Sequence, residues 1–287
     1  MSVDRILLTN DDGIDAVGLR AMYEALSEEY EVTTVAPTGD RSSIGRANSD
    51  AVDVTGHELG YAVDGTPVDC VVAGLDTLAP DADCVVAGCT KGANLGAYVL
   101  GRSGTVSAAV EAAFFDVPAI ATSMYVPGDH PGWRRTELAP ERFSDAVHAT
   151  RYLVNAGVDA DVFETADYLN VNAPIADEGG AAAPMRVTVP SDWYGMTAER
   201  RDGSEAGDGA ENGNPDRIED GIDHRIVFGD PIWDRMTPES VPDEVGTDRR
   251  AVVDGEVSVT PLTVRCGTNR DGSLGALAER YHGTIDR

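Results

Sequence analysis

Two adjacent aspartates, Asp11 and Asp12, are the residues of this sequence with the clearest chemical potential. They follow the apolar run Arg5–Thr9 and lie within the tetrapeptide Asn-Asp-Asp-Gly. Neighbouring carboxylates repel each other unless a cation neutralises them, and their oxygens are typical ligands of Mg²⁺ or Mn²⁺. Asn, Asp and Gly are also common turn formers. These residues alone therefore indicate a divalent metal site and a plain turn about equally.

A second polar segment, Asp40–Ser43, follows the apolar stretch Glu31–Ala36. The hydroxyl of Ser42 offers a neutral oxygen ligand, and the guanidinium of Arg41 is suited to bind a phosphate or a carboxylate through two hydrogen bonds. A polar surface loop is the alternative interpretation of this segment when it is taken by itself.

Two further segments carry groups that are suited to an anion. The stretch Gly88–Gly96 has three glycines, which let a ligand approach the backbone closely, and it holds Lys91, the only lysine of the chain. Ser103, Gly104 and Thr105 open a predicted helix, where free N–H groups and hydroxyls favour a bound anion. Helix capping by Ser103 is the alternative there. Together with the aspartates, these segments favour a metal-dependent phosphate site.

Alternating strands and helices are predicted to position these segments. The predicted strands are Arg5–Thr9, Glu31–Ala36, Asp83–Gly88 and Pro118–Ser123, and the predicted helices are Ala16–Tyr30, Pro67–Leu78 and Gly104–Phe115. Apolar strands separated by helices indicate an α/β, Rossmann-like fold, with a mostly parallel sheet and helices on both faces. The C-terminal ends of such strands meet at one edge of the sheet, so we expect the polar segments to converge there.

The second half of the chain is less regular. We expect residues 1–125 to form the Rossmann-like core that carries the site, and residues 126–287 to complete the same single domain. The elements predicted in the second part are a helix over Glu141–Ala156, strands over Tyr168–Asn172 and Met185–Val189, a flexible loop over about 202–221, and a β-hairpin over about 249–259. The hairpin prediction depends on Asp254-Gly255, a typical hairpin turn.

The charge of the chain is strongly negative, with 22 Lys and Arg against 50 Asp and Glu and a formal net charge of −28. Nucleic-acid polymers and anionic membranes bind clustered basic residues, so neither is expected as a partner. The acids are spread along the whole chain, which favours adaptation to concentrated salt, where self-repulsion is screened. An acidic surface for a protein partner is the alternative.

The remaining chemistry-bearing residues form no recognised motif. The four cysteines (Cys70, Cys84, Cys89 and Cys266) lack a paired spacing, so no zinc site is predicted. Dinucleotide-binding, P-loop and serine-hydrolase signatures are absent from the sequence. His130 and His224 fall in predicted loops from which a proton donor could reach the site, although solvated loop histidines are the more common case. No targeting or membrane-spanning stretch is evident, and we expect a cytoplasmic protein.

Taken together, these segments resemble the SurE survival proteins, a family of metal-dependent 5′/3′-nucleotidases. The resemblance covers roughly residues 5–262 in the family's order. The matching pieces are ILLTNDDGIDAVGLRAMYEAL, TVAPTGDRSSIG, GTPVDCV, Gly88–Gly96, SGTVSAAVEAA, LNVNAP and GTDRRAVVDGEVSVTPL. The chain is thus identified as an acidic, haloarchaeal-type member of this family, and its combination of DDG, DRS and SGTV segments makes chance similarity remote.

The resemblance implies one divalent metal ion per subunit, Mg²⁺ or Mn²⁺, and a ligand set for it. Carried over by position, the ligands are Asp11, Asp12 and Ser42, and the fourth position falls on Thr90, where the family has Asn. Because the hydroxyl of Thr90 reaches less far than the amide carbonyl of an Asn, we expect weakened metal affinity. Asn94 matches a second family Asn, which is expected to shape the same loop.

The resemblance also implies the reaction, namely hydrolysis of a nucleoside 5′- or 3′-monophosphate by metal-activated water. Asp11 and Asp12 are then the catalytic carboxylates. The residues expected to hold the phosphate are Arg41, Lys91, Asn94, Ser103, Gly104 and Thr105. The family further implies a homodimer or homotetramer that exchanges C-terminal arms, to which the hairpin at about 249–259 could belong.

Two other functions compete with this interpretation. A nucleotide-binding or regulatory protein would result if the substitution at Thr90 had inactivated the metal site. A phosphatase of the haloacid dehalogenase type would require Asp-x-Asp after the first strand, whereas this chain has Asp11 directly followed by Asp12.

Overall fold

The structure is a computed structural model, and it describes residues 3–127, 138–159, 161–177, 179–202 and 224–265. The strands are β1 (Arg5–Thr9), β2 (Glu31–Pro37), β3 (Val54–His57), β4 (Gly60–Val63), β5 (Cys84–Lys91), β6 (Ala119–Tyr125), β7 (Tyr168–Pro174), β8 (Met185–Val187), β9 (Thr197–Asp202), β10 (His224–Gly229) and β11 (Val257–Leu262). The α-helices are α1 (Val17–Leu26), α2 (Pro67–Ala73), α3 (Ala97–Leu100), α4 (Gly104–Phe114), α5 (Ser144–Asp159) and α6 (Asp248–Val253). Within these ranges, no helix is long and apolar enough to cross a membrane.

Among the residues that the structure describes, nine strands form one sheet in the order β3-β4-β2-β1-β5-β6-β7-β11-β8. The six strands from β4 to β7 in this order run parallel, and antiparallel strands lie beside them, β3 next to β4 and β11 next to β7. The edge strand β8 pairs parallel with β11. The predicted α/β fold with a mostly parallel sheet is confirmed.

Both faces of the sheet are buried, as the apolar strands predict. In β1, Ile6 and Leu8 face a core cluster that includes Leu19 and Met22 of α1 and residues of α5. Leu7 points to the opposite face, where it belongs to a second cluster with residues of α2 and α4. Because successive side chains of a strand alternate between faces, one five-residue strand contributes to both cores.

The prediction of a β-hairpin over about 249–259 is wrong. Residues Asp248–Val253 form helix α6, and only the second half of the predicted hairpin is a strand, β11. Gly255 has a φ of +81°, and the chain ends the helix there through a bond from its N–H to the carbonyl of Val252. An Asp-Gly pair satisfies the end of a helix as well as a hairpin turn, which explains the error.

Other elements differ in their limits or were not predicted. The strand expected to end at Gly88 continues to Lys91 as β5, with an irregular register between Ala87 and Thr90. The helix expected over Pro67–Leu78 changes to a π-helical turn at Gly74. Strands β3, β4, β9 and β10 were not predicted. Except for its first residue, which ends β9, the predicted loop over about 202–221 lies outside the described residues, as do His130 and Cys266.

Candidate active site

The site lies at the C-terminal edge of the parallel strands, as the order of strands and polar segments in the sequence predicts. Strands β2, β1 and β5 are neighbours in the sheet, and the segments that follow or end them meet around Asp11. The backbone N–H of Arg41, after β2, donates to the carbonyl of Asp11 over 2.7 Å. The hydroxyl of Thr90, near the end of β5, donates to the Asp11 carboxylate over 3.0 Å. The predicted convergence of these segments is therefore confirmed.

The Asn-Asp-Asp-Gly tetrapeptide is a turn as well as the source of the carboxylates. The buried side chain of Asn10 closes the turn, since its Nδ2 donates to the carbonyl of Gly13 over 2.9 Å and its Oδ1 accepts from the Gly13 N–H over 3.2 Å. The two alternatives raised by the sequence are thus compatible. The turn holds both aspartates at the end of β1.

Asp11 is buried, at 3% exposure, and it lies in a cradle of hydroxyl and amide donors. Its Oδ1 accepts from the hydroxyl of Thr105 over 2.6 Å and from that of Thr90 over 3.0 Å, and its Oδ2 accepts from the Thr105 N–H over 3.2 Å. The two threonine hydroxyls are themselves 2.9 Å apart. Burial raises the pKa of Asp11, while the hydrogen bonds from Thr105 and Thr90 oppose that rise.

Asp12 is the more accessible of the two carboxylates. Its Oδ2 accepts from the backbone N–H of Lys91 over 2.8 Å. Burial and the negative charge of Asp11 raise the pKa of Asp12 to about 7. The hydrogen bond from the Lys91 N–H and the positive charge of Lys91 act in the opposite direction and lower this pKa. A carboxylate pair in this state is destabilised by its own repulsion, and a bound cation would relieve that repulsion.

The loop after β2 adds a third acidic group, Asp40, which is not among the predicted site residues. The hydroxyl and the N–H of Ser42 both donate to its Oδ1, over 2.6 and 2.7 Å. The charge of Asp40 contributes to raising the pKa of both Asp11 and Asp12, which places it within electrostatic reach of the pair. An acidic residue directly before Arg41 and Ser42, on the same sheet edge, was the available signal.

Several residues predicted to hold phosphate have other partners in this structure. The guanidinium of Arg41 donates to Asp64 over 3.0 Å and to the carbonyl of Gly65 over 3.1 Å. The hydroxyl of Ser103 caps α4 by accepting from the N–H of Val106 over 3.0 Å. The capping interpretation of Ser103 is therefore confirmed, and its contact with phosphate stays a prediction.

Position 104 requires a glycine because the side chain of Asp11 approaches its backbone closely. A Cβ at this position would lie 2.8 Å from the Cβ of Asp11 and 2.9 Å from its Oδ2. Contacts this short do not occur between real side chains, so the start of α4 can meet the carboxylate only through a glycine. The Ser-Gly-Thr segment thus positions Asp11 through Gly104 and Thr105.

Asn94 is buried and shapes the glycine-rich loop, as expected from the resemblance. Its Nδ2 donates to the hydroxyl of Ser123 over 2.7 Å, and its N–H donates to the Oδ1 of Asn172 over 2.7 Å. The amide groups of Asn170 and Asn172 both donate to the carbonyl of Asn94, over 2.9 and 3.2 Å. The two buried asparagines of β7 were missed; their signal was polar residues at alternate positions of an apolar strand.

The side chains of two histidines, His57 and His148, are described, and neither is hydrogen-bonded to Asp11 or Asp12. His57 contacts Asp15 over 3.3 Å, and His148 lies exposed on α5. His224 is the first residue of β10 rather than part of a loop. His130 lies outside the described residues, and the proton-donor role raised for His130 and His224 stays a prediction.

The proposed ligands fit a hard divalent cation by their chemistry, although one of them, the Ser42 hydroxyl, donates to Asp40 and not to Asp11. All candidate ligands are oxygens, from the carboxylates of Asp11 and Asp12 and the hydroxyls of Ser42 and Thr90, as Mg²⁺ and Mn²⁺ prefer. Among the described residues, no group of three or more His, Cys, Asp and Glu side chains is arranged to hold a metal ion. A cation here would depend on hydroxyl oxygens in addition to the two aspartates.

Comparison with known proteins decides the family. The model of the family described as survival protein SurE matches residues 6–195. The chain belongs to the SurE family. A SurE protein of Haloquadratum walsbyi named 5′-nucleotidase is 51% identical over 282 residues, which cover 98% of each chain. A 5′-nucleotidase SurE of Haloarcula marismortui is 52% identical and covers 98% of this chain and 96% of that relative.

The fold agrees with this membership of the SurE family. The crystal structure of the SurE protein from Aquifex aeolicus matches with a TM-score of 0.71 and 27% sequence identity. The match covers 96% of this chain and 99% of the other. The similarity therefore extends over nearly the whole length of this SurE chain.

Proposed function

We propose that this SurE-family chain is an enzyme, a phosphoric monoester hydrolase that converts nucleoside monophosphates to nucleoside and phosphate. The observation that carries the proposal is the pair Asp11 and Asp12 at the C-terminal sheet edge, in a chain about half identical to proteins named 5′-nucleotidase over nearly its whole length. The alternative of a binding protein with an inactivated site is not favoured, because both carboxylates are held by hydrogen bonds from Thr90, Thr105 and Lys91.

A divalent ion, Mg²⁺ or Mn²⁺, fits the site as one cofactor per subunit. Asp11 and Asp12 would hold it, with Ser42 and Thr90 as hydroxyl ligands. When bound, such an ion supplies Lewis-acid stabilisation of charge on phosphoryl oxygens and makes a water molecule more acidic.

The chain's own residues have separable roles in this proposal. Thr90 and Thr105 hold the Asp11 carboxylate in one orientation, and the Lys91 N–H holds Asp12. The ammonium group of Lys91 favours the ionised form of Asp12 and is suited to a phosphate dianion. Arg41, Asn94, Ser103, Gly104 and Thr105 complete the proposed phosphate-binding set, with Asn94 acting through loop shape.

The test is phosphate release from a panel of nucleoside 5′- and 3′-monophosphates, with EDTA and with Mn²⁺ or Mg²⁺ restored. We expect turnover that EDTA abolishes and the metal restores. Asp11→Asn and Asp12→Asn should each lose most of this activity, and Asp76→Asn serves as a matched control on an exposed carboxylate. Near-normal rates in either site variant would contradict the assignment. Nucleotide binding without turnover at any salt concentration would instead support the alternative.

We also propose that the protein assembles as a homodimer or homotetramer. Strands β9 and β10 form a separate two-stranded sheet, and such a unit is marginally stable when it stands alone. Ile226 and Phe228, two residues apart on β10, are 44% and 71% exposed. Light scattering should give a mass above that of the monomer, and Phe228→Glu should lower it. Val245→Glu, at a position that is 77% exposed and outside this two-stranded sheet, is the control.

Three further expectations remain proposals. The even spread of acids supports a protein adapted to concentrated salt. A cytoplasmic location is supported by the free, buried thiols of Cys70, Cys84 and Cys89, which suit a reducing compartment. The division at residue 125, with the later part completing one domain, is supported by β7, β8 and β11, which extend the same sheet.

A further inference from the structure

A buried arginine lies at the start of α6, outside the carboxylate site. Arg249 is 1% exposed, although arginine is seldom buried so completely. Its Nη1 donates to the hydroxyl of Ser191 and to the carbonyl of Trp193, each over 3.2 Å, and lies 3.9 Å from the Oδ1 of Asp243. The rings of Tyr98 and Trp193 face its guanidinium at 5.5 and 5.9 Å. These contacts fix the group in one position.

Arg249 and its neighbour Asp248 bind the backbone of the glycine-rich loop. The Oδ2 of Asp248, which is fully buried, accepts from the N–H of Gly96 over 2.6 Å. The Nη2 of Arg249 donates to the carbonyl of Leu95 over 3.5 Å. A Cβ at Gly96 would overlap the Arg249 guanidinium, so the close approach requires glycine there. The pair therefore holds both sides of the Leu95–Gly96 peptide bond.

The other end of the same loop contacts the carboxylate pair. Thr90 and Lys91, at the end of β5, donate to Asp11 and Asp12 respectively. Between the two ends, the loop is held by the N–H of Gly92, which donates to the carbonyl of Met124 over 3.0 Å, and by Asn94 with its partners on β6 and β7. A shift at Gly96 would thus be transmitted over a few residues to the donors of both aspartates.

We propose that Asp248 and Arg249 are positioning residues of the nucleotidase site, acting through the Lys91–Gly96 loop on Asp11 and Asp12. This inference depends on the proposed function only for its effect on turnover. Its effect on loop order and on cation affinity is separate, because both can be measured without substrate. Asp248 is 152 residues from Gly96 in sequence, so the pair adds a second link, beside Asn170 and Asn172 of β7, between the second half of the chain and this loop.

The experiment compares Arg249→Gln and Asp248→Asn with Arg250→Gln. Arg250 is the next residue of the same helix and forms an exposed ion pair with Asp254 over 2.8 Å. Arg250→Gln therefore reproduces the charge change of Arg249→Gln at a residue that does not contact the loop. The readouts are the Kd for Mn²⁺, amide hydrogen exchange at Gly96, and the separate values of kcat and KM. We expect both site variants to raise the Mn²⁺ Kd by about tenfold or more and to speed exchange at Gly96. The control should stay within about twofold of wild type.

A purely structural role would give a different result. It would lower the melting temperature and the folded fraction, while the folded protein kept the wild-type Mn²⁺ Kd and KM, and that result would overturn the inference. If the variants do not fold, the wild-type protein still decides, because coupling is reciprocal. Mn²⁺ should then slow amide exchange at Gly96 by about fivefold or more, and unchanged exchange would refute the inference. Wild-type protein that binds Mn²⁺ with this coupling but releases no phosphate would refute the proposed function alone.

Discussion

The hydroxyl of Thr105 donates to the Oδ1 of Asp11 over 2.6 Å, and its N–H reaches the Oδ2 of the same carboxylate over 3.2 Å. One residue at the start of α4 therefore contacts both oxygens of the buried aspartate. The segment predicted to bind phosphate is also the one that orients a proposed metal ligand, and this relationship has measurable consequences.

Removal of the Thr105 hydroxyl should weaken the site without changing its shape. Thr105→Val is nearly isosteric but leaves Oδ1 of Asp11 with one hydroxyl donor fewer. We expect the Mn²⁺ Kd to rise about tenfold or more, with a matching loss in kcat/KM, because ligand orientation is lost. Thr105→Ser keeps the hydroxyl and is the control. Equal Mn²⁺ affinity in the Val and Ser variants would contradict this role.

Gly104→Ala should inactivate the enzyme. The added methyl would lie 2.8 Å from the Cβ of Asp11, so either α4 or the carboxylate must move. Because displacements of about 1 Å at a reacting centre cost on the order of 100-fold in rate, we expect at least that loss in nucleotidase activity. Gly101→Ala is the matched control, since nothing lies within 4 Å of its added Cβ. A fully active Gly104→Ala enzyme would show that the close approach is unimportant.

Thr90→Asn restores the residue that the SurE family pattern leads us to expect. The amide carbonyl offers an oxygen with longer reach than the hydroxyl, so we expect tighter Mn²⁺ binding and a higher rate at limiting metal. Calorimetric titration with Mn²⁺ measures the first and phosphate release the second. Thr90→Val, which removes the donor to Asp11, should weaken Mn²⁺ binding and lower the rate at limiting metal. If Asn leaves both unchanged or lowers them, Thr90 does not limit the metal site.

Asp69 should stabilise the fold in a pH-dependent way. It accepts from the N–H and hydroxyl of Ser49 and from the N–H of Thr66, each over 2.8 Å. Burial raises the pKa of Asp69, but these hydrogen bonds outweigh it and hold that pKa below its ordinary value. A lowered pKa means that the stabilisation is present above about pH 4 and is lost as pH falls through the folded-state pKa.

The free energy of unfolding of Asp69→Asn and of the wild-type protein, measured across pH, tests this pH dependence. We expect the variant to be less stable at pH 7 by about 1–3 kcal/mol, and the difference to shrink in acid. Asp76→Asn, on an exposed side chain, should show no such trend. A gap that stays constant down to pH 3 would mean that the loss is one of packing.

Salt should control both stability and activity. At a formal charge of −28, like-charge repulsion opposes folding in dilute buffer and is screened when the Debye length falls to about 3 Å at 1 M salt. We expect the melting temperature and the rate of phosphate release to rise with KCl over that range. Full stability and activity in 50 mM salt would instead favour an acidic surface for a protein partner.

Local patterns were enough to predict most of the first half of the fold. Strands such as β1 and β6 are short and apolar and are bounded by turn residues, so their type and parallel arrangement follow from the sequence. Convergence of Asp11 with the Arg41 and Thr90 segments follows in turn from the topology of a parallel sheet. The Asp254-Gly255 pair does not form the predicted hairpin turn, because an Asp-Gly pair can also end a helix. Packing against distant residues decides between a hairpin turn and a helix end.

The sequence by itself determined which residues could do chemistry, the sheet edge where they meet and the family. Only the tertiary structure decided what each side chain contacts. It placed Thr105 against Asp11, Arg41 against Asp64, and the side chain of Asn94 against Ser123 of β6. It also brought Asp248 to Gly96 across 152 residues. The physical reason is that hydrogen-bond partners are selected by packing between distant elements, whereas hydrophobic periodicity records only which face of its own element a residue occupies.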